Sequence, residues 1–270
     1  MTTIKKKIIL LLLILSTIIV YFILELVFSK DKVVFLSVGQ GDAVLLSVAG
    51  NNILIDGGPD WEVIKGLDRN LPFLNRTLDV IILSHAHHDH FIGLAEVIRR
   101  YKVKKIYYYH HNFTDIAYRE MILTLNTAEV EMINILDVNS LLIENCNLNF
   151  LWPFKEISDK SDLNDLSIVA KFNCKNLSFL FTGDITEAVE KLLITHKKNL
   201  SADVLKACHH GSKYSNSLSF LRQVNPEIIV FTVGKANRYG FPSKETVLRV
   251  EKEGIKIKST ENKKDVVFNL

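Results

Sequence analysis

Val80-Ile81-Ile82-Leu83-Ser84-His85-Ala86-His87-His88-Asp89-His90 runs from an apolar stretch into a dense group of imidazoles. The β-branched run over 79–83 reads as a strand, and the segment after Leu83 as the loop in which it ends. Four of the chain's nine histidines, with one aspartate, sit in that loop between positions 85 and 90. Side chains fanning out from a turn approach one point from several directions. That suits an ion taking nitrogen and oxygen ligands.

On either side of this stretch, three more apolar strands end in the same way. Leu54-Ile55-Asp56-Gly57-Gly58 ends in a carboxylate, and so does Phe179-Leu180-Phe181-Thr182-Gly183-Asp184. Val204-Leu205-Lys206-Ala207-Cys208-His209-His210-Gly211-Ser212 ends in paired imidazoles. Ligands at strand ends from both halves of the chain would meet along one edge of a sandwich, on rigid supports. Asp184 has a second reading, since with Glu187 it fits a capping box before a helix over 186–196.

The remaining pattern is strands over 33–38, 43–48 and 53–55, a helix over 61–70, the strand ending at Leu83, and a helix over 92–101. A strand over 104–109 and a helix over 115–125 come next. The second half reads as strands over 141–151, 166–172 and 178–182, then strand and helix alternating to the end. Two similar halves predict two packed sheets with helices outside.

A hydrophobic share of 48% and a charged share of 23% are those of a globular chain. The formal charge is +3; beyond residue 28, without Lys5, Lys6, Lys7 and Glu25, 30 basic side chains face 29 acidic ones. A nearly neutral body gives no global electrostatic case for nucleic acid. Cys146, Cys174 and Cys208 are too few and too scattered for a disulfide framework, and Cys208 reads as a small buried apolar residue. Residues 8–28 are almost unbroken apolar sequence behind three lysines. This predicts an uncleaved signal anchor over 1–29, spanning the membrane once with the body (30–270) outside the cytoplasm. A cleaved signal peptide is the competing reading.

The strand-end pattern resembles the metallo-β-lactamase superfamily, whose H-x-H-x-D-H loop is matched by His85-Ala86-His87-His88-Asp89-His90. Within it the likeness is to the hydrolase domain of ComEC-type competence proteins. Val38-Gly39-Gln40-Gly41-Asp42, Leu54-Ile55-Asp56-Gly57-Gly58, Thr182-Gly183-Asp184, Cys208-His209-His210-Gly211-Ser212 and Val233-Gly234-Lys235-Ala236-Asn237-Arg238-Tyr239-Gly240 carry it, in the family's order. The resemblance implies an α/β fold, an αββα sandwich with a dinuclear metal site at one edge. His85 and His87 correspond to ligands of the first ion, Asp89 and His90 to those of the second, and Asp184 to the bridge between them. One of His209 and His210 completes the second site. Asp56 corresponds to the carboxylate that orients a ligand histidine, and Asp42 stands either as a turn residue or as a supporting group. His88 has no counterpart.

Three departures bear on substrate. No histidine occurs in Leu163-Asn164-Asp165-Leu166-Ser167, where many members supply a further ligand; the ComEC-like group shows Asn there too, leaving Asn164 or Asp165 to assist. Ser37 stands where the family usually has Asp, and Phe241 where it has His. The implied activity is hydrolysis of phosphodiester bonds, in DNA or a phosphate-containing envelope polymer, by metal-activated hydroxide. Two divalent ions would serve, zinc foremost, with manganese also accepting such donors. Lys213, Asn237, Arg238 and Tyr239 would hold the phosphate or leaving group. No obligate protein partner is implied beyond the membrane itself. The alternative is a non-catalytic, metal-stabilised binding or assembly protein of the same fold.

Overall fold

The computed structural model describes residues 3–27, 30–111, 113–158 and 161–270. A helix α1 (Thr3–Val27) precedes β1 (Lys32–Phe35), β2 (Val44–Val48), β3 (Asn51–Ile55), α2 (Glu62–Asn70), β4 (Thr77–Leu83), α3 (His88–Arg100), β5 (Lys102–Tyr108), α4 (Ile116–Thr127) and β6 (Glu131–Asn134). The second half is β7 (Ser140–Ile143), β8 (Cys146–Trp152), β9 (Val169–Cys174), β10 (Leu177–Phe181), α5 (Glu187–Thr195), β11 (Val204–Lys206), α6 (Leu218–Val224), β12 (Ile228–Phe231), α7 (Lys244–Lys252), β13 (Lys256–Ser259) and β14 (Val266–Asn269).

Alternation along β1 shows the layering. Val33 and Phe35 point into one core, while Val34 belongs to another, the period-2 signature of a strand buried on both faces. One sheet runs β14-β1-β2-β3-β4-β5-β6 and the other β13-β12-β11-β10-β9-β8-β7. The core between them is apolar, with Phe35, Phe172, Phe179 and Phe181 at its centre. A second core lies between the first sheet and α2, α3 and α4, and a third between the second sheet and α5, α6 and α7. The result is the α/β sandwich of two sheets with flanking helices. In each sheet a run of parallel pairs, β3-β4-β5-β6 and β10-β11-β12-β13, is the part that carries the ligand-bearing strand ends.

The outer strands of the first sheet are tied to α2 through one carboxylate. Asp265, just before β14, accepts from Ser37 N–H at 2.9 Å, from Arg69 Nη2 and Nε at 2.8 and 3.1 Å, and from Asn70 Nδ2 at 2.8 Å. Burial opposes its charge, yet these donors hold the carboxyl below its ordinary value. Asp265→Ala is therefore expected to cost about 1–2 kcal/mol, the charged hydrogen bonds being discounted because Arg69 is half exposed. A lowered folded pKa lends stability that is fully present above the ordinary carboxyl pKa of ~4 and lost as pH falls through the folded value. The gap between wild type and variant in urea unfolding should accordingly shrink on acidification. An equal gap at neutral and strongly acidic pH would refute the role.

Several expectations are corrected. The strand expected over 141–151 is a hairpin, β7 and β8, broken at Glu144, which turns with φ 51°; the Glu144-Asn145 turn carries no Gly or Pro to mark it. The edge strand β6 was not expected. Cys146 and Cys174, which looked too scattered for a disulfide framework, are joined by a disulfide with Cα–Cα 4.4 Å. They lie 28 residues apart in sequence, but antiparallel pairing of β8 with β9 brings their ends together.

The membrane anchor is also withdrawn. No helix among the described residues is long and apolar enough to cross a membrane, so single-pass anchoring with an extracytoplasmic body lacks support. The described apolar side chains of α1, Ile4 and those from Ile8 to Val20, are exposed. Phe28, at the end of the apolar run, lies outside the described residues.

Candidate metal centre

The histidine loop is partly helix. His88 to His90 form the first turn of α3 rather than a free loop, with His87 extended ahead of it as the N-cap. Asp89 in that turn suits the positive end of the helix. The turn is clamped from the neighbouring motifs. Asp42 N–H donates to Asp89 O at 3.1 Å and Gly57 N–H to His90 O at 2.6 Å, while Gly58 N–H donates to Asp42 O at 2.7 Å. The Gly-rich stretches after β1 and β3 thus set where α3 begins.

Four groups then meet at the carboxyl ends of the strands: Asp89, His90, Asp184 and His210, with one ligand atom each all within 4.8 Å of one another. His90 Nε2 and His210 Nε2 each lie 3.3 Å from Asp184 Oδ2, and His210 Nε2 lies 3.4 Å from Asp89 Oδ2. The opposite ring nitrogens are spoken for. His90 Nδ1 donates to Asp56 Oδ2 at 2.8 Å, and His210 Nδ1 donates to the Thr232 carbonyl at 2.9 Å. A carbonyl can only accept, so His210 carries a proton on Nδ1 and turns Nε2 inward. This is the orientation of a metal-ligating histidine.

Both Nε2 atoms are buried without a hydrogen-bond partner. Orphaned buried nitrogens facing two carboxylates are costly unless something binds them, and a divalent cation matches the donor set. The residues present fit such an ion.

Asp56 is fully buried and accepts from Ser84 N–H and Oγ at 2.7 and 2.6 Å as well as from His90. Asp42, also buried, accepts from Thr232 Oγ1 and pairs with Lys206 Nζ at 2.6 Å. His85 Nε2 and His87 Nδ1 stand 2.9 Å apart, and the His85 and His90 rings are 4.2 Å apart between centroids. They form a second imidazole group beside the first.

Charges are arranged to keep Asp184 and Asp89 ionised. Burial opposes ionisation of Asp184, but His210, His90 and Lys206 overcome it and hold its carboxyl well below the usual range. Asp89 is likewise depressed against its burial, by His90 and His210. Burial pushes His210 down, while Asp184 and Asp42 lift it to about 9. Burial, with the charge on His90, keeps His85 neutral, the form that can donate a lone pair.

The other expected residues divide between the rim of the centre and its surroundings. His209 is outside the four-group cluster, with Nε2 3.8 Å from Asp184 Oδ2, and lines the cavity above it. Both His209 and His210 are left-handed, with φ 47° and 53°. That backbone is held by Asn216, whose amide donates to Cys208 O and accepts from Cys208 N–H at 2.8 and 2.9 Å. His88 is outside the four-group cluster and pairs with Asp115 at 3.0 Å on the cavity wall. Asp165 is engaged with Thr186 N–H and Oγ1, Ser167 Oγ accepts from Asp184 N–H, and Asn164 Oδ1 is buried without a partner. Asp184 is not a cap, because Thr186 caps α5.

A cavity of about 910 Å³ opens over the cluster, lined among others by His87, Asp89, Asp184, His210, Lys213, Arg238 and Tyr239. Arg238 lies over the Tyr239 ring at 4.9 Å and Lys213 over Tyr214 at 5.0 Å. Phe241 stacks on Tyr239, centroids 5.7 Å apart. Asn237 does not line the cavity. Its side chain braces the turn by bonding Gly234 O, Phe241 O and Phe241 N–H.

Sequence reasoning overlooked Lys206, Thr232 and Ser84. A lysine at the end of an apolar strand was the available signal for the first; hydroxyls behind ligands leave none.

The chain belongs to the metallo-beta-lactamase superfamily, whose family model matches residues 36–233. It is 29% identical over 262 residues to ComE operon protein 3 of Bacillus subtilis (strain 168), across 89% of this chain and 33% of that protein. It is 28% identical to Recombination protein 2 of Haemophilus influenzae, across 83% of this chain and 27% of that one. These relatives bear out the likeness to the ComEC type, and the chain spans about a third or less of their length. Among solved structures it shares a fold with the metallo-beta-lactamase fold protein YhfI of Bacillus subtilis, at TM-score 0.60, 14% identity, and coverage of 89% of this chain and 100% of that one.

Proposed function

We propose that residues 30–270 form a metal-dependent hydrolase domain acting on phosphodiester bonds. The observation that carries this reading is the pair of orphaned Nε2 atoms, on His90 and His210, facing Asp89 and Asp184 beneath an open cavity with Lys213 and Arg238 on its wall. Divalent ions bound there supply acidified water and neutralise charge on phosphoryl oxygens. The protein's own part is positioning. Asp56 and the Thr232 carbonyl fix the imidazole orientations, and Asp89 and Asp184 contribute the anionic donors. His85 and His87 add a second donor pair next to the first group, so two ions can be accommodated.

At the cavity wall Arg238 presents a planar fork and Lys213 a point charge, both suited to phosphate oxygens. Tyr239 and Phe241 offer a flat apolar surface to a leaving group. Single-stranded DNA fits this pairing of cations with aromatic faces, and a polymer of phosphate diesters fits the cations alone. Arg238→Ala should raise KM for a phosphodiester roughly 10-fold with little change in kcat, as removal of a contact made equally in ground and transition states does. An unchanged KM would exclude Arg238 from substrate binding.

The non-catalytic reading draws on Phe241, which puts a ring 5.4 Å from His209 where relatives would place an imidazole. Turnover of bis(p-nitrophenyl) phosphate with zinc or manganese, followed by DNA and choline-phosphate substrates, separates the two. Wild type as inert as His87→Ala with every divalent metal tried would sink the enzyme reading.

A further inference from the structure

Among the described residues, Lys206 is the one charged side chain among the largest fully buried ones. Its Nζ donates to Gly183 O at 2.7 Å and pairs with Asp42 Oδ2 at 2.6 Å and Asp184 Oδ1 at 3.2 Å. Those three partners use all its donors. Asp184 is therefore divided: Oδ1 is held by the ammonium, and Oδ2 alone faces His90, His210 and His209.

A carboxylate joining two ions would ordinarily have two oxygens to share between them. Here it has one. The two donor groups differ in other ways too. Asp89, His90, Asp184 and His210 already bring a complete four-ligand set within 4.8 Å. His85 and His87 have no third imidazole: the segment that would supply it, Leu163-Asn164-Asp165-Leu166-Ser167, holds no histidine, and its Asp165 and Ser167 are engaged in holding the loop after β10.

We infer that Lys206 acts as a resident cation that makes the centre unequal. One ion is held tightly by Asp89, His90, Asp184 and His210, and a second is held weakly beside His85 and His87. The inference rests on the metal-centre reading above but not on any substrate. A domain that hydrolyses nothing can still satisfy it, and an active hydrolase can still refute it.

The test counts ions on the full chain. Metal-free protein is titrated with Co²⁺ while heat and visible absorption are followed. Wild type should take up one equivalent, then a second at least ~10-fold more weakly, in the range that ligand-supporting groups control. His85→Ala with His87→Ala should remove only the second step, and Asp89→Ala should remove the first. Two equivalents entering in a single unresolved step would overturn the inference. So would loss of the tight step in the His85/His87 variant.

Lys206 itself is tested by Lys206→Met combined with Asp42→Asn, which removes opposite charges together so that neither is stranded. With Asp184 Oδ1 released, the second ion should bind about 10-fold more tightly. Lys206→Gln, which keeps a donor for Gly183 O, is the second variant should the paired one not fold. An unchanged gap between the two steps in either folded protein would refute the role of Lys206.

Discussion

His210→Ala should abolish phosphodiester hydrolysis and weaken the first metal-binding step by more than ~100-fold, beyond the 10–100-fold typical for groups that only support a ligand. His210 is fully buried, its Nδ1 is fixed by Thr232, and its Nε2 completes the set with Asp89, His90 and Asp184. Its removal leaves three ligand groups and strips Asp184 of the largest of the charges that keep it ionised. Asp56→Asn gives the internal standard. It leaves His90 in place but exchanges the carboxylate behind it for an amide, so the loss should fall within the 10–100-fold range. Calorimetry and turnover on the two variants check the order. A His210→Ala protein that binds its first ion like wild type would remove His210 from the centre and leave His209 to take its place.

Gly93→Ala should be among the most damaging single methyl groups in the domain. A Cβ at Gly93 would run into the carbonyl oxygens of Gly57 and Asp60, both backbone atoms that cannot rotate aside. This is where α3 lies against the loop after β3, and the contact is locked by Gly93 N–H to Gly58 O at 3.0 Å and Gly57 N–H to His90 O at 2.6 Å. Overpacking against side chains costs about 1–3 kcal/mol; with backbone on the other side the cost should exceed ~3 kcal/mol. Because α3 carries Asp89 and His90 in its first turn, any folded remainder should also bind metal less tightly. Chemical denaturation with cobalt titration reads both effects. A variant as stable as wild type would mean that loop and helix have room to part.

Much of the fold is legible from periodicity and residue chemistry. Alternation in β1 and the apolar runs before Asp56, Ser84, Asp184 and Cys208 specify strands, and the residues just past their ends are the ones that gather at the sheet edge. Helix and strand patterns over α2, α5, α6 and α7 were legible because one face of each is apolar and its ends carry ordinary stop signals. The start of α3 was not. Its first turn is polar throughout, and only the clamp from Asp42 and Gly57 makes it helical. Nor was the hairpin of β7 and β8, whose turn, Glu144-Asn145, is only two residues long and carries no Gly or Pro. The helix at the N-terminus was legible as a helix, but apolar character alone overstated what it does.

At the centre, residue order alone was enough to establish that histidines and carboxylates end several strands, and the family likeness came from the order of those motifs. Which of the paired imidazoles faces Asp89 and Asp184 emerged only on folding. Folding also paired His88 with Asp115, gave Asn237 to a turn, and placed Lys206 against one oxygen of Asp184. The reason is physical. Local sequence sets residue type and strand direction, whereas a ligand's aim depends on groups brought from elsewhere. Thr232 and Asp42 lie far from His210 in the chain, Asp56 far from His90, and Lys206 far from Asp42. Closing the two sheets on each other creates those contacts, and no spacing within a single motif encodes them.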